Sequence, residues 1–138
     1  MTPGPPSRTL VIDENLSHRL GTELRNRGRD AASVKSLGLR GSSDPDLLDK
    51  LDGQLDGWVL VTADDALPDS HAEAVARVNA TIATISPDRE LGWQLEAWRR
   101  EVVHRWAHVI HDQAPGTVRR YALRRHAAWR VRRRRARR

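Results

Sequence analysis

Six acidic residues stand where apolar strands should end or a helix should begin. Asp13 and Glu14 follow Leu10, Val11 and Ile12 in the run "TLVIDENL", and Asp64 and Asp65 follow the apolar run "WVLVT". Asp44 and Asp46 flank Pro45 in "SSDPDLL". Carboxylates gathered from three segments repel one another unless a cation lies between them. Oxygen donors in a chain without cysteine suit the hard ions Mg²⁺ or Mn²⁺. Such ions activate water and stabilise the leaving oxygen in phosphodiester cleavage. Asp13 and Asp64 are therefore candidate metal ligands, with Asp44 at the same edge and Glu14 and Asp46 as solvated neighbours. Each acid alone has a plainer meaning. Asp44 is a good helix N-cap, and an isolated Asp after a strand is usually a solvated turn residue.

The elements that must position these acids alternate along the chain. Leu10–Asp13 reads as a strand, and Asn15 as the N-cap of a helix with Leu16, Leu20 and Leu24 on one face, ending near Gly28. A short strand is expected around Ala31–Val34. Asp44 as N-cap and Pro45 at the first helical position open a second helix, with Leu47, Leu48, Leu51 and Leu55 as its buried stripe. Trp58–Thr62 is the clearest strand. Ser70 and Glu73 form a capping box for a short helix through Ala72, Val75 and Val78, and Thr81–Ile85 reads as a fourth strand stopped by Pro87.

Near-continuous apolar strands alternating with helices imply an α/β fold, a parallel sheet covered on both faces. In a strand order 2-1-3-4 the carboxyl ends of the first and third strands are neighbours where the winding reverses. Ligands bind at that point in such sheets. Asp13 and Asp64 would meet there, with the start of the second helix at the same edge.

One long helix is expected from Asp88 to Gln113, carrying Leu91, Leu95, Trp98, Val102, Trp106 and Val109 at steps of three and four. It would run roughly 35–40 Å, longer than a small domain is wide, so part of its stripe is expected against a partner. His104, His108 and His111 have a spacing that can chelate a transition metal, although a polar stripe beside an apolar one is the commoner meaning. Pro115 and Gly116 end the helix.

The chain of 138 residues has a net charge of +6, divided unevenly. Residues 117–138 hold 11 Arg and no acid, which leaves the preceding 116 residues at −5. Arg outnumbers Lys 22 to 2 throughout, which inflates the count without explaining the missing acids. An acidic domain with a basic end suggests a polyanionic or acidic partner. As a helix on RNA, the tail would offer Arg119, Arg120, Arg124, Arg125 and Arg130 to phosphates, and Tyr121 and Trp129 to bases. Docking onto an acidic protein and a solvated end are the other two meanings of the same composition. The length allows one domain with a real core. The absence of cysteine excludes disulfides and thiolate metal sites. Apolar runs are only strand-length and no signal-peptide core is visible, so a cytoplasmic protein without a membrane span is expected. There is no Gly-rich phosphate loop, no nucleophilic triad spacing and no internal repeat.

The runs "LVIDENL…L…LRNRG", "LGLRGSSDPDLL" and "VLVTADD", in that order over about residues 9–86, resemble the PIN-like toxins, the VapC-type ribonucleases of type II toxin–antitoxin pairs. The resemblance implies a three-layer α/β/α fold, Mg²⁺- or Mn²⁺-dependent RNA cleavage, and inhibition by a small cognate antitoxin. Its first-strand acid falls on Asp13, its helix-start acid on Asp44 and its third-strand acid on Asp64. Asn15 and Thr62 match polar positions that support the site. The family loop commonly runs Thr-x-Asp-x-Asp-Phe, whereas Ala66 and Leu67 fill the last two places here. Asp65 is the candidate to replace the missing acid, so the catalytic set is Asp13, Asp44, Asp64 and Asp65. The expected organisation is a lead-in over 1–8, a PIN-like nuclease domain over 9–113 including the long helix, and an Arg-rich tail over 114–138. A homodimer or a toxin–antitoxin hetero-oligomer would follow.

Two other functions share part of this pattern. A phosphoacceptor signalling domain also gathers acids at its first and third strands, but needs a lysine near a later strand end. Lys35 and Lys50, the only lysines, come too early. A catalytically impaired PIN-like module, binding nucleic acid or a protein through its basic tail, is the alternative that Ala66 keeps open.

Overall fold

The computed structural model describes residues 8–85 and 95–122. Five strands, β1 (Thr9–Ile12), β2 (Ala31–Ser33), β3 (Trp58–Thr62), β4 (Ile82–Ile85) and β5 (Val118–Tyr121), form one sheet in the order β2-β1-β3-β4-β5. Every pairing is parallel. The helices are α1 (Arg19–Asn26), α2 (Asp44–Gln54), α3 (Leu67–Ser70), α4 (Ala72–Arg77) and α5 (Leu95–His111). The first four strands take the expected order, with β1 and β3 adjacent where the winding reverses.

Side chains on a strand alternate between its two faces, and here the alternation sorts the core into two layers. Leu10 and Ile12, Val59 and Val61, and Ala83 and Ile85 pack on Leu20 and Leu24 of α1 and on Val102, Val103, Ala107 and Ile110 of α5. Val11, Leu60 and Ile82 face the opposite way, onto Leu47, Leu48 and Leu51 of α2, Leu67 of α3 and Ala74 of α4. The result is a three-layer α/β/α sandwich whose central strands are apolar on both sides.

Three helix starts differ from the sequence expectation. Asn15 does not cap α1, which begins at Arg19 behind His18 with no side-chain cap bond. The Asn15 amide bonds to the end of β3 instead. At α2 the cap is Ser43, whose hydroxyl accepts from the Asp46 N–H at 3.4 Å, so Asp44 is the first helical residue rather than the cap. Ser70 and Glu73 form no capping box, because Ser70 closes α3 and α4 starts after His71 without a side-chain cap. The end of α1 does follow its sequence. Gly28, at φ 84°, lets the Arg29 N–H reach back to the Leu24 carbonyl.

The C-terminal part brings the largest correction. A fifth strand joins the expected four, and Val118–Tyr121, expected in a helical basic tail, forms it on β4. Gln113 anchors that strand: its Nε2 donates to the Ile82 and Thr117 carbonyls, each at 2.9 Å, and its Oε1 accepts from the Tyr121 hydroxyl at 2.8 Å. Tyr121 is fully buried and cannot stack on a base, and burial pushes its phenol up to about 12. Arg119 and Arg120 are half-buried members of the strand. The expected contacts Arg124, Arg125, Trp129 and Arg130 lie outside the described residues. So do the helix start at Asp88, with Leu91, and residues 1–7 of the lead-in.

Within α5, Trp98, Trp106 and Val109 pack against the same core as Val102 and Ile110. Trp98, Trp106 and Val109 remain partly exposed there. Among the described residues no helix is long and apolar enough to cross a membrane.

Candidate active site

The parallel register sets Ile12 opposite Val61, and the Asp13 N–H continues the ladder to the Val61 carbonyl at 2.9 Å. One residue beyond that register, Asp13 has the parity of Val11 and Thr62 that of Leu60, so both side chains leave the sheet on the α2 side. They meet there. The Thr62 hydroxyl donates to Asp13 Oδ2 at 2.7 Å, and the Glu14 N–H donates to Oδ1 at 2.7 Å. Asp13 is 7% exposed and Thr62 is sealed.

Thr62 is the hub of the site. While it donates to Asp13, its oxygen accepts from Asn15 Nδ2 at 3.1 Å and from the Asp64 N–H at 3.1 Å. Asn15 Oδ1 accepts from the Ala63 N–H at 2.9 Å, which closes the link between the ends of β1 and β3. Asp64 Oδ1 accepts from the Ala66 N–H at 3.0 Å. Ala66, standing where the family loop has an acid, thus serves through its backbone alone.

Burial is the largest cause of a raised Asp13 pKa; the Thr62 and Glu14 hydrogen bonds oppose it, and the charges of Asp44 and Glu14 add to it. Asp44 therefore belongs to the site through charge. One of its oxygens, Oδ2, also lies 3.3 Å from His71 Nε2. Glu14 Oε1 accepts from the Gly41 N–H at 3.1 Å, which ties the loop between β2 and α2 to this edge. Asp65 and Asp46 are exposed, and no hydrogen bond links Asp65 to the hub.

The expected ligand set does not close. Among the described residues no three His, Asp or Glu side chains are gathered tightly enough to hold one ion. The donors nevertheless fit Mg²⁺ or Mn²⁺ in kind. They are hard carboxylate oxygens, and Asp13 is buried and raised by like charges, a state that a cation relieves. The histidine stripe is not a chelate. His104 Nε2 meets Glu23 Oε1 at 2.7 Å, whereas His111 Nδ1 meets Asp112 Oδ1 at 3.0 Å.

Sequence reasoning missed several groups around the hub. His71 gave no signal because it reaches Asp44 only after α3 and α4 have turned back onto α2. Two clefts flank Glu14 and Leu16. One, of about 260 Å³, adds Asp13, His18, Ser33, Lys35 and Arg40. The other, of about 410 Å³, runs between Asn15–Leu20 and the first turns of α5, and holds Arg99.

The family model of the PIN-like domain matches residues 9–86, from β1 to the end of β4, and the chain belongs to that family. No curated protein and no solved structure matches it.

Proposed function

We propose that this protein is a metal-dependent endoribonuclease, the VapC-type toxin of a type II toxin–antitoxin pair. The observation that carries the proposal is Asp13: a carboxylate fixed by Thr62, its pKa raised by burial first and by its acidic neighbours second, at the reversal point of a PIN-like sheet. Asp13, Asp44 and Asp64 would hold Mg²⁺ or Mn²⁺, with Asp65 completing the acidic set. The bound ion would supply Lewis-acid activation of water for phosphodiester hydrolysis. The protein's own residues keep the donors ready. Thr62 fixes one Asp13 oxygen, the Glu14 N–H fixes the other, and Asn15 locks the two strand ends so that neither can drift. Ser43 takes over the cap of α2, so the Asp44 carboxylate is not spent on it and stands at the site beside His71.

The partners in this proposal are an RNA substrate and a cognate antitoxin that silences the enzyme. Cleavage of a defined cellular RNA pool, with Mn²⁺ or with EDTA, tests it directly. Metal-dependent cutting that disappears in Asp13→Asn is the expected result, and cutting retained by that variant would sink the assignment. One observation favours a second function, an impaired PIN-like module that binds without cutting: Ala66 replaces an acid, and Asp65 is turned to solvent without joining the hub. Failure to cut under any divalent metal would select that function.

A further inference from the structure

The cleft of about 410 Å³ beside the site holds two consecutive arginines in different circumstances. Arg100 is bonded to Glu23, a carboxylate of α1. Among the described residues Arg99 has no such partner. Its Nε, like that of Arg100, is buried without a hydrogen bond, but among the described residues no ion pair offsets the burial that pulls the Arg99 pKa down. A guanidinium stays charged at any working pH, so the fold cannot relieve this by releasing a proton. What the position lacks is an anion, and a guanidinium fork matches a phosphate through two parallel hydrogen bonds.

The walls of the cleft agree. Ser17 lines it, and its oxygen accepts from the Arg19 N–H at 3.3 Å, which leaves the hydroxyl proton free to donate. Glu14 shares the lining, but its Oε1 bonds to the Gly41 N–H on the other side. Glu96 stands exposed at the rim. The cleft borders the catalytic hub through Asn15, which lines it and bonds to Thr62, the partner of Asp13; Asp13 and Thr62 themselves do not line it. An RNA strand with one phosphodiester at Asp13 would pass Asn15 to bring another of its phosphates to this cleft.

Resting on the ribonuclease function proposed above, we propose that the cleft between Asn15–Leu20 and the first turns of α5 is a phosphate-binding subsite of the RNA path. Arg99 is its anchor and Ser17 its second donor. Arg99 here positions substrate and takes no part in bond cleavage.

The test uses the full chain carrying Asp13→Asn, so that a labelled single-stranded RNA oligomer is bound without being cut, with affinity read by anisotropy over a salt series. Adding Arg99→Gln should weaken binding about tenfold and flatten the dependence of log K on log salt by about 0.7. Arg99→Lys should keep the salt slope and lose part of the affinity. Arg105→Gln, on the exposed side of α5, should change neither. Unchanged affinity and slope in a folded Arg99→Gln protein would overturn the subsite, as would an equal loss in Arg105→Gln. Should Arg99→Gln fail to fold, Ser17→Ala replaces it: weaker binding supports the subsite and unaltered binding overturns it. The two proposals separate cleanly. A wild-type protein that never cuts RNA, with Arg99→Gln still weakening binding, removes the nuclease and keeps the subsite. A wild-type protein that cuts, with Arg99→Gln binding and cutting equally well, does the reverse.

Discussion

Asp13 and Glu23 are both carboxylates drawn into the molecule, yet they meet opposite company. On the α1–α5 face, Glu23 receives His104 and Arg100, and the His104 hydrogen bond, ahead of Arg100, holds its carboxyl below the usual range. At the strand edge, Asp13 receives only neutral donors, while burial and the charges of Asp44 and Glu14 raise it. A charge balanced within the fold serves the fold. A charge left unbalanced at the reversal point of a parallel sheet costs stability and is kept for a ligand. Arg99, without an ion pair among the described residues while Arg100 is paired to Glu23, repeats the contrast with the opposite sign.

The sharpest way to break that contrast is to neutralise each acid in turn. Asp13→Asn should remove RNA cleavage below detection while the fold persists, since the amide keeps the shape and its oxygen can still accept from the Glu14 N–H. Next in size is Thr62→Val, which keeps the shape and deletes the hub. Cleavage should fall about 10- to 100-fold, as expected when an outer partner of a ligand is lost. Unfolding in urea should show a cost of about 1–3 kcal/mol for the unmet Asp13 oxygen.

Glu23→Gln should do the opposite of Asp13→Asn. Cleavage stays at the wild-type rate, while stability drops by about 1 kcal/mol or less, because the lost pair lies partly in solvent. If that variant cut RNA more slowly, the α1–α5 cluster would have to be counted with the site.

The smallest effect is the pH dependence of the melting temperature, and its sign differs between the two acids. A raised carboxyl favours the native state in its protonated form. Asp13 therefore helps most below its unfolded value, 3.8, and loses that help as pH rises through its higher folded value. Glu23, lowered in the fold, contributes above 4.5 and loses its contribution as pH falls through its lower folded value. Relative to wild type, Asp13→Asn should melt a few degrees higher at pH 7, with the gain vanishing toward pH 4. Glu23→Gln should melt lower at pH 7, with the deficit vanishing in acid. Parallel curves for the two variants would contradict the contrast.

Much of the fold was legible in the sequence. "WVLVT" and "TLVI" are apolar enough to mark buried parallel strands, and Leu16, Leu20 and Leu24 are buried as their spacing predicts. β5 was not legible, because "VRRY" has two arginines in four residues and only its last residue is fully buried. Its one local hint is the Pro115–Gly116 turn ahead of Val118 and Tyr121, and the contacts that hold it come from Gln113 and β4. The caps of the first two helices misled for a related reason. Asn15 and Asp44 are good N-caps by type, but Asn15 is recruited by β3 and Ser43 takes the cap of α2.

By itself, then, the sequence determined that the ends of β1 and β3 would lie side by side, because apolar runs of strand length in alternation with helices admit few parallel arrangements. The tertiary structure alone decided how the acids there stand. Thr62 became the hub because register and parity set its hydroxyl against Asp13. Asp44 turns to His71 rather than to the start of its helix, which Ser43 caps, and Glu23 pairs with Arg100 and not with Arg99. Hydrogen bonds and charge balance between segments far apart in the chain depend on distances that no local pattern encodes.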